Sequence, residues 1–171
     1  MIVYHGSNAI VPEPKLLTPT RFLDFGKGFY TTLSQQQAII FADKVFQRRK
    51  VGVPTVSIYE FDKETVFSTC SLLQFCSPNE KWLNFVSANR DGTYRGVKYE
   101  LIYGAVANDD VFTTLSLYTS GQLSKEETLN RLKIKELYNQ LVFGSQRALL
   151  YLKFIGTMDG EEYLFWKNKQ D

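Results

Sequence analysis

Two short stretches of the chain hold residue types that could do chemistry: Tyr4-His5-Gly6-Ser7 near the start and Asp24-Phe25-Gly26-Lys27-Gly28-Phe29-Tyr30. His5 is the single histidine of the chain. A histidine followed at once by glycine offers an imidazole for hydrogen bonding beside a backbone that a ligand can approach closely. Taken alone, the pair reads equally well as a capped strand end with a half-exposed ring. Gly26-Lys27-Gly28 invites a phosphate-loop reading, but it lacks the six-residue glycine spacing and the GKS or GKT ending of a P-loop, and the third glycine of a dinucleotide fingerprint. One histidine and no GxSxG leave a hydrolase triad without support. Asp109-Asp110 and Glu161-Glu162 are sequential neighbours, which point apart on either a helix or a strand, so they read as solvated surface. Cys70 and Cys76 form no CxxC pair and complete no zinc site with His5, so neither a disulfide scaffold nor a metal centre is expected.

Positioning these residues requires a particular set of elements. A strand over residues 1–4 delivers His5 at its end, and a proline-bearing loop runs to residue 20. The glycine turn at 25–28 leads into a strand at 29–32, and Ser34 caps a helix over 35–49. That helix carries Ala38, Phe41, Ala42, Val45 and Phe46 at helical spacing, so this stripe should face the core. Alternation over 55–61 predicts a half-buried strand. Ser77 and Pro78 open a helix to residue 89 with Trp82, Phe85 and Val86 inward. A strand at 99–106, a helix at 109–118 and a helix from the Ser124–Glu127 capping box to residue 133 follow. The C-terminal part reads as an extended segment at 137–143, a short helix capped by Ser145 that runs to residue 151, and a strand at 152–156. The elements lack the regular βαβ rhythm of a doubly wound sheet, which places the chain in the α+β class.

Composition agrees with one ordinary globular domain. The chain has 171 residues, enough for a single sizeable core. Hydrophobic residues at 44% and charged residues at 22% exclude disordered, collagen-like and coiled-coil classes. A formal charge of +2 does not by itself point to a nucleic-acid or membrane partner. No run of 18 apolar residues exists and the first residues lack the pattern of a signal peptide, so the expected localisation is cytoplasmic with no membrane partner. The aromatic share, 15%, calls for a thick core or a site built from flat rings; Tyr30 and Phe41, each taken alone, read as packing residues.

Their joint spacing changes that reading. The run Asp24-Phe25-Gly26-Lys27-Gly28-Phe29-Tyr30 resembles the nicotinamide-binding segment of the poly(ADP-ribose) polymerases, in which an FGKG-aromatic-Tyr run is followed eleven residues later by a second tyrosine. Eleven residues after Tyr30 stands Phe41. Together with Tyr4-His5-Gly6-Ser7, these residues resemble the H-Y-E class of ADP-ribosyltransferases, which expel nicotinamide from NAD⁺ and pass ADP-ribose to an acceptor. YHGS, DFGKGFYTT, YELIYGAVANDDVF and NQLVF also resemble the small bacterial DUF3990 family, a group with ADP-ribosyltransferase similarity and toxin associations. The resemblance spans about residues 2–155. It implies one ADP-ribosyltransferase-like domain over 1–171, with split antiparallel β-sheets and flanking helices, acting on NAD⁺ without a metal. A macromolecular acceptor, protein or nucleic acid, would be the partner, and the toxin association implies an antitoxin.

The same resemblance distributes roles. The Gly6 backbone would clamp the nicotinamide carboxamide beside Ser7, His5 would bond the adenine-side ribose, and Tyr30 and Phe41 would sandwich the nicotinamide ring, their π faces favouring the cationic pyridinium. Arg21 would pair with the pyrophosphate as a bidentate guanidinium, with Lys27 a weaker second cation. The chain departs from the pattern twice. Gln140 stands where the class carries its catalytic glutamate; it can accept a ribose hydroxyl hydrogen bond but brings no charge and cannot act as a base. Glu100 and Glu136 are the fallbacks, in that order. Ala38 stands where the polymerases place a serine hydroxyl, and Thr31 and Ser34 are the hydroxyls available to replace it. A catalytically inactive member of the fold that binds NAD⁺ or a partner is the second reading, favoured by these departures. A transferase consuming an RNA 2′-phosphate is the third, and it lacks the expected arginines.

Overall fold

The computed structural model describes residues 1–17, 22–105, 109–133, 139–158 and 160–168. Arg21 and Glu136 lie outside the described residues. In chain order the elements are β1 (Ile2–Ser7), β2 (Phe29–Thr32), α1 (Gln35–Arg49), β3 (Thr55–Glu60), α2 (Lys63–Thr69), β4 (Leu72–Gln74), α3 (Glu80–Arg90), β5 (Leu101–Ala105), α4 (Asp109–Thr119), α5 (Lys125–Lys133), β6 (Asn139–Phe143), α6 (Gln146–Leu149), β7 (Lys153–Thr157) and α7 (Gly160–Asn168). The class is α+β.

Local chemistry explains most of the helix starts. Ser34 Oγ accepts from the Gln37 N–H, fixing the first turn of α1, and Asp62 does the same for α2 through Glu64. At α5 the Ser124 and Glu127 side chains satisfy each other's N–H, a reciprocal capping box. For α3 the cap is Asn79, bonded to the Trp82 N–H, rather than Ser77; Pro78 therefore precedes the helix instead of opening it.

The strands form one seven-stranded sheet in the order β4-β5-β6-β2-β1-β3-β7. This differs from two separate antiparallel sheets: hydrogen bonding is continuous, and the edge pair β4–β5 is parallel. The division survives as a seam. β1 pairs with β3 through six residues and β2 with β6 through four, whereas β1 and β2 share a single pair, Tyr4 with Thr32.

Packing differs on the two faces of this sheet. On one, Val3 and Tyr59 from the β1–β3 side pack with Phe29, Leu101, Leu141 and Phe143 in one continuous core that also takes in Val66 of α2 and Ala148 and Leu149 of α6. On the other face the core is split. Ala38, Ile39 and Ala42 of α1 cover the β1–β3 side, while Trp82, Leu83 and Val86 of α3 cover Ile102 and Val142 on the β5–β6 side. Two helices thus stand on either side of the seam, and the continuous core behind it holds the halves together.

Candidate functional site

Strand alternation assigns the candidate residues to faces. Tyr4 opposes Thr32 and Thr32 opposes Gln140, so Tyr4, Gly6, Tyr30, Thr32 and Gln140 share the face with the split core. His5 and Ser7 are on the other face, with Phe29 and Thr31. His5 is the fourth residue of β1 rather than its end, and it pairs with Ser57 of β3.

The backbone places Gly6 at the seam. Met1 and Phe61 exchange both main-chain hydrogen bonds, so in this antiparallel ladder the odd-numbered residues of β1 bond to β3. Tyr4 and Gly6 therefore turn their N–H and C=O toward β2. Tyr4 meets Thr32 there, and at Gly6 the strands part. A Cβ on Gly6 would lie 2.1 Å from the carbonyl oxygen of Ala38 and 2.8 Å from the nitrogen of Ala42. The glycine is thus explained first by the close seating of α1 on β1, a reason that spacing alone does not reveal.

His5 closes the seam from the opposite face. Its Nδ1 lies 2.8 Å from the Tyr30 carbonyl oxygen, and its ring stacks on Phe29 with centroids 4.3 Å apart. A carbonyl only accepts, so Nδ1 carries the proton and Nε2 of the neutral ring is the remaining acceptor. Burial lowers the pKa of His5 below its ordinary value, and the bond to Tyr30 partly offsets this. The imidazole is held neutral, able to receive a hydroxyl hydrogen bond.

Tyr30 is fixed at its far end. Its hydroxyl donates to the Gly26 carbonyl (2.7 Å) and accepts from the Phe25 N–H (3.1 Å). The half-buried ring packs along the α3 cluster. The phenolic oxygen therefore ties β2 to the glycine turn that precedes it, while Lys27 at the tip of that turn is exposed. Phe41 is 39% exposed, not buried in the apolar stripe of α1. Gln37, one turn earlier, accepts a hydrogen bond from Thr32 Oγ1 through its Oε1. Residues four apart share a helix flank, so Phe41 stands on the side of α1 turned toward β2. That exposed aromatic flank, the Tyr30 ring and the Gly6 backbone border the same seam.

The remaining candidates sort clearly. Gln140 is half-buried on β6, beside Thr32 on one side and Gly104 of β5 on the other. Glu100 lies just before β5, four residues from Gly104 and so about 13 Å along the strand from Gln140. Its carboxylate is fully engaged: it accepts from Arg147 Nε (2.8 Å) and Nη2, from the Ser71 N–H (3.0 Å) and from Ser145 Oγ (3.1 Å). The Arg147 hydrogen bond leads the causes that bring its pKa down to about 2. Glu100 is thus a structural anchor away from the seam, engaged with Arg147, Ser71 and Ser145. Thr31 Oγ1 donates to the Leu141 carbonyl on the His5 face, and Ser34 Oγ accepts from the Gln37 N–H as the cap of α1, so both hydroxyls are engaged within the protein. Gln37 was not anticipated, and its only sequence signal was a position in the first turn after Ser34. Ser7 is half-buried on the His5 face.

Among the described residues, no group of three or more His, Cys, Asp or Glu side chains could hold a metal ion. Cys70 is buried and Cys76 exposed, and both are free thiols. No described helix is long and apolar enough to cross a membrane. No curated protein matches the chain. Residues 1–154 match the family described as "Protein of unknown function (DUF3990)", and with most of its length covered the chain belongs to the DUF3990 family.

Proposed function

We propose that this chain binds NAD⁺ at the β1–β2 seam and acts as an ADP-ribosyltransferase on a macromolecular acceptor. The observation that carries the reading is the parting of β1 from β2 at Gly6 and Tyr30: main-chain groups of Gly6 turn into the gap, and His5 pins the Tyr30 carbonyl across it. A nicotinamide carboxamide needs one acceptor and one donor in a fixed geometry, which a strand edge supplies without side-chain entropy. Tyr30 offers a ring braced at both ends, and Phe41 is an exposed ring on the facing flank of α1. In the reaction the C1′–nitrogen bond of NAD⁺ breaks, nicotinamide leaves with the bonding pair, and an acceptor nucleophile bonds to C1′ and loses its proton. Positive charge develops on the ribose as the bond lengthens. Gln140 is the residue on this face suited to hold a ribose hydroxyl, and as a neutral amide it stabilises that charge less than a carboxylate would.

This last point favours one second reading, an NAD⁺-binding module that does not turn over, since Gln140 is uncharged and Glu100 is occupied by Arg147. One experiment separates the two. Purified protein is incubated with NAD⁺, nicotinamide release is followed, and binding is measured calorimetrically on the same sample. Release together with transfer of label to an acceptor supports the enzyme; binding without release supports the silent module; no binding overturns both.

A further inference from the structure

The seam borders α1 on one side, yet the ring of Tyr30 is held from the other. Its hydroxyl bonds both Gly26 O and Phe25 N in the turn ahead of β2. That turn leans on the last residues of α3. Asp24 is buried, with its Oδ1 2.5 Å from Arg90 Nε. Gly26 has φ +72°, and a Cβ there would stand 2.7 Å from Asn89 Oδ1, while Asn89 itself is tied to the Phe85 carbonyl (2.9 Å). Turn, ion pair and phenol thus form one chain of contacts: Arg90, Asp24, the 24–26 backbone, Tyr30. The Arg90 and Asp24 side chains retain only 18% and 11% of their exposure, so the pair is poorly screened and its geometry well defined.

From this arrangement we infer that Arg90 is a positioning residue for the nicotinamide site, setting the tilt of the Tyr30 ring through Asp24 and the Gly26 carbonyl. The inference rests on the NAD⁺ reading for its functional consequence, while its mechanical content stands without it. It also gives α3 a function: the helix that covers β5 and β6 adjusts an aromatic wall of a site whose glycine is covered by α1.

Two measurements on the full chain test it. The first uses NAD⁺ titration of wild type, Arg90→Gln, Tyr30→Phe and the double variant. If Arg90 acts through the phenol, each single variant weakens binding about fivefold, the worth of one ordinary hydrogen bond, and the double variant is no worse than either. Additive losses, or wild-type affinity in Arg90→Gln, overturn the proposal. Arg90→Lys, which keeps the charge and one donor, restores part of the affinity. The second measurement needs no NAD⁺. Amide exchange at Phe25, whose N–H is held by the Tyr30 hydroxyl, accelerates in Arg90→Gln while that of Val142 in the core does not. Unchanged Phe25 exchange overturns the proposal even if NAD⁺ binds. Accelerated exchange in a protein that binds no NAD⁺ supports the positioning contact and rejects the NAD⁺ reading alone.

Discussion

A histidine held neutral by burial, with one nitrogen spent on a backbone carbonyl, contributes to stability. The folded pKa of His5 lies below its unfolded value of 6.5, so the neutral ring favours the native state and the contribution is fully present above 6.5. As pH falls below 6.5 the unfolded chain gains its proton first, and native stability declines until the folded ring titrates. Melting curves should therefore show a loss of stability on acidification that His5→Gln removes, and equal slopes in the two proteins would contradict the assignment. Gln140 carries the corresponding question for catalysis. If the proposed NAD⁺ reaction takes place at the seam, Gln140→Glu places a carboxylate beside the developing ribose charge and should raise nicotinamide release by about a hundredfold, whereas Gln140→Ala abolishes it with the fold intact. If the wild type releases nicotinamide and neither variant changes the rate, Gln140 is not the third site residue.

Among the elements, α1 decides the geometry of the site. Its Ala38 and Ala42 backbone sits directly on Gly6, leaving no room for a methyl group. Gly6→Ala forces the helix off β1 and should cost about 3 kcal/mol by urea denaturation, as overpacking against unyielding backbone does; a cost below about 1 kcal/mol would mean that α1 can shift freely. The elements legible in the sequence were those written in local chemistry. Ser34 and the Ser124–Glu127 box announced α1 and α5, and β2 and α1 fall at the expected residues, because capping is decided within four positions. Elements defined by distant partners were not legible. β4 is three residues long and is a strand only because it pairs with β5, about thirty positions away. α2 has an Asp62 cap, but Thr65, Val66 and Thr69 gave it a strand-like composition. α7 is seated on α1 through the Tyr163 hydroxyl on Asp43, 120 positions apart. At the candidate site the same limit holds: the H-G and FGKG-aromatic-Tyr spacings singled out Gly6 and Tyr30 as candidates, while nothing near Asp24 named Arg90 as its partner.

At the scale of the molecule, the sheet is hydrogen-bonded from edge to edge while its two faces are covered differently. One core stays unbroken behind the seam, and the other is divided between α1 and α3. The half bearing β4, β5 and β6 then needs its own closure at the end far from Gln140, and the Glu100 network supplies it. One carboxylate gathers the Ser71 N–H at the entry to β4, the Ser145 hydroxyl at the cap of α6, and Arg147, which also donates to the Thr69 carbonyl (2.9 Å) at the end of α2. The folded pKa of Glu100 is about 2 against an ordinary 4.5, a depressed carboxylate, so its stabilisation is complete above 4.5 and is lost as pH falls toward 2. Glu100→Gln should accordingly lower the melting temperature at neutral pH, and the gap to wild type should close as the pH is taken from 4.5 toward 2. Thermal melts across that range decide the matter. A gap that stays constant down to the lowest pH would mean that shape and hydrogen bonding at residue 100, rather than its charge, hold this end of the sheet together.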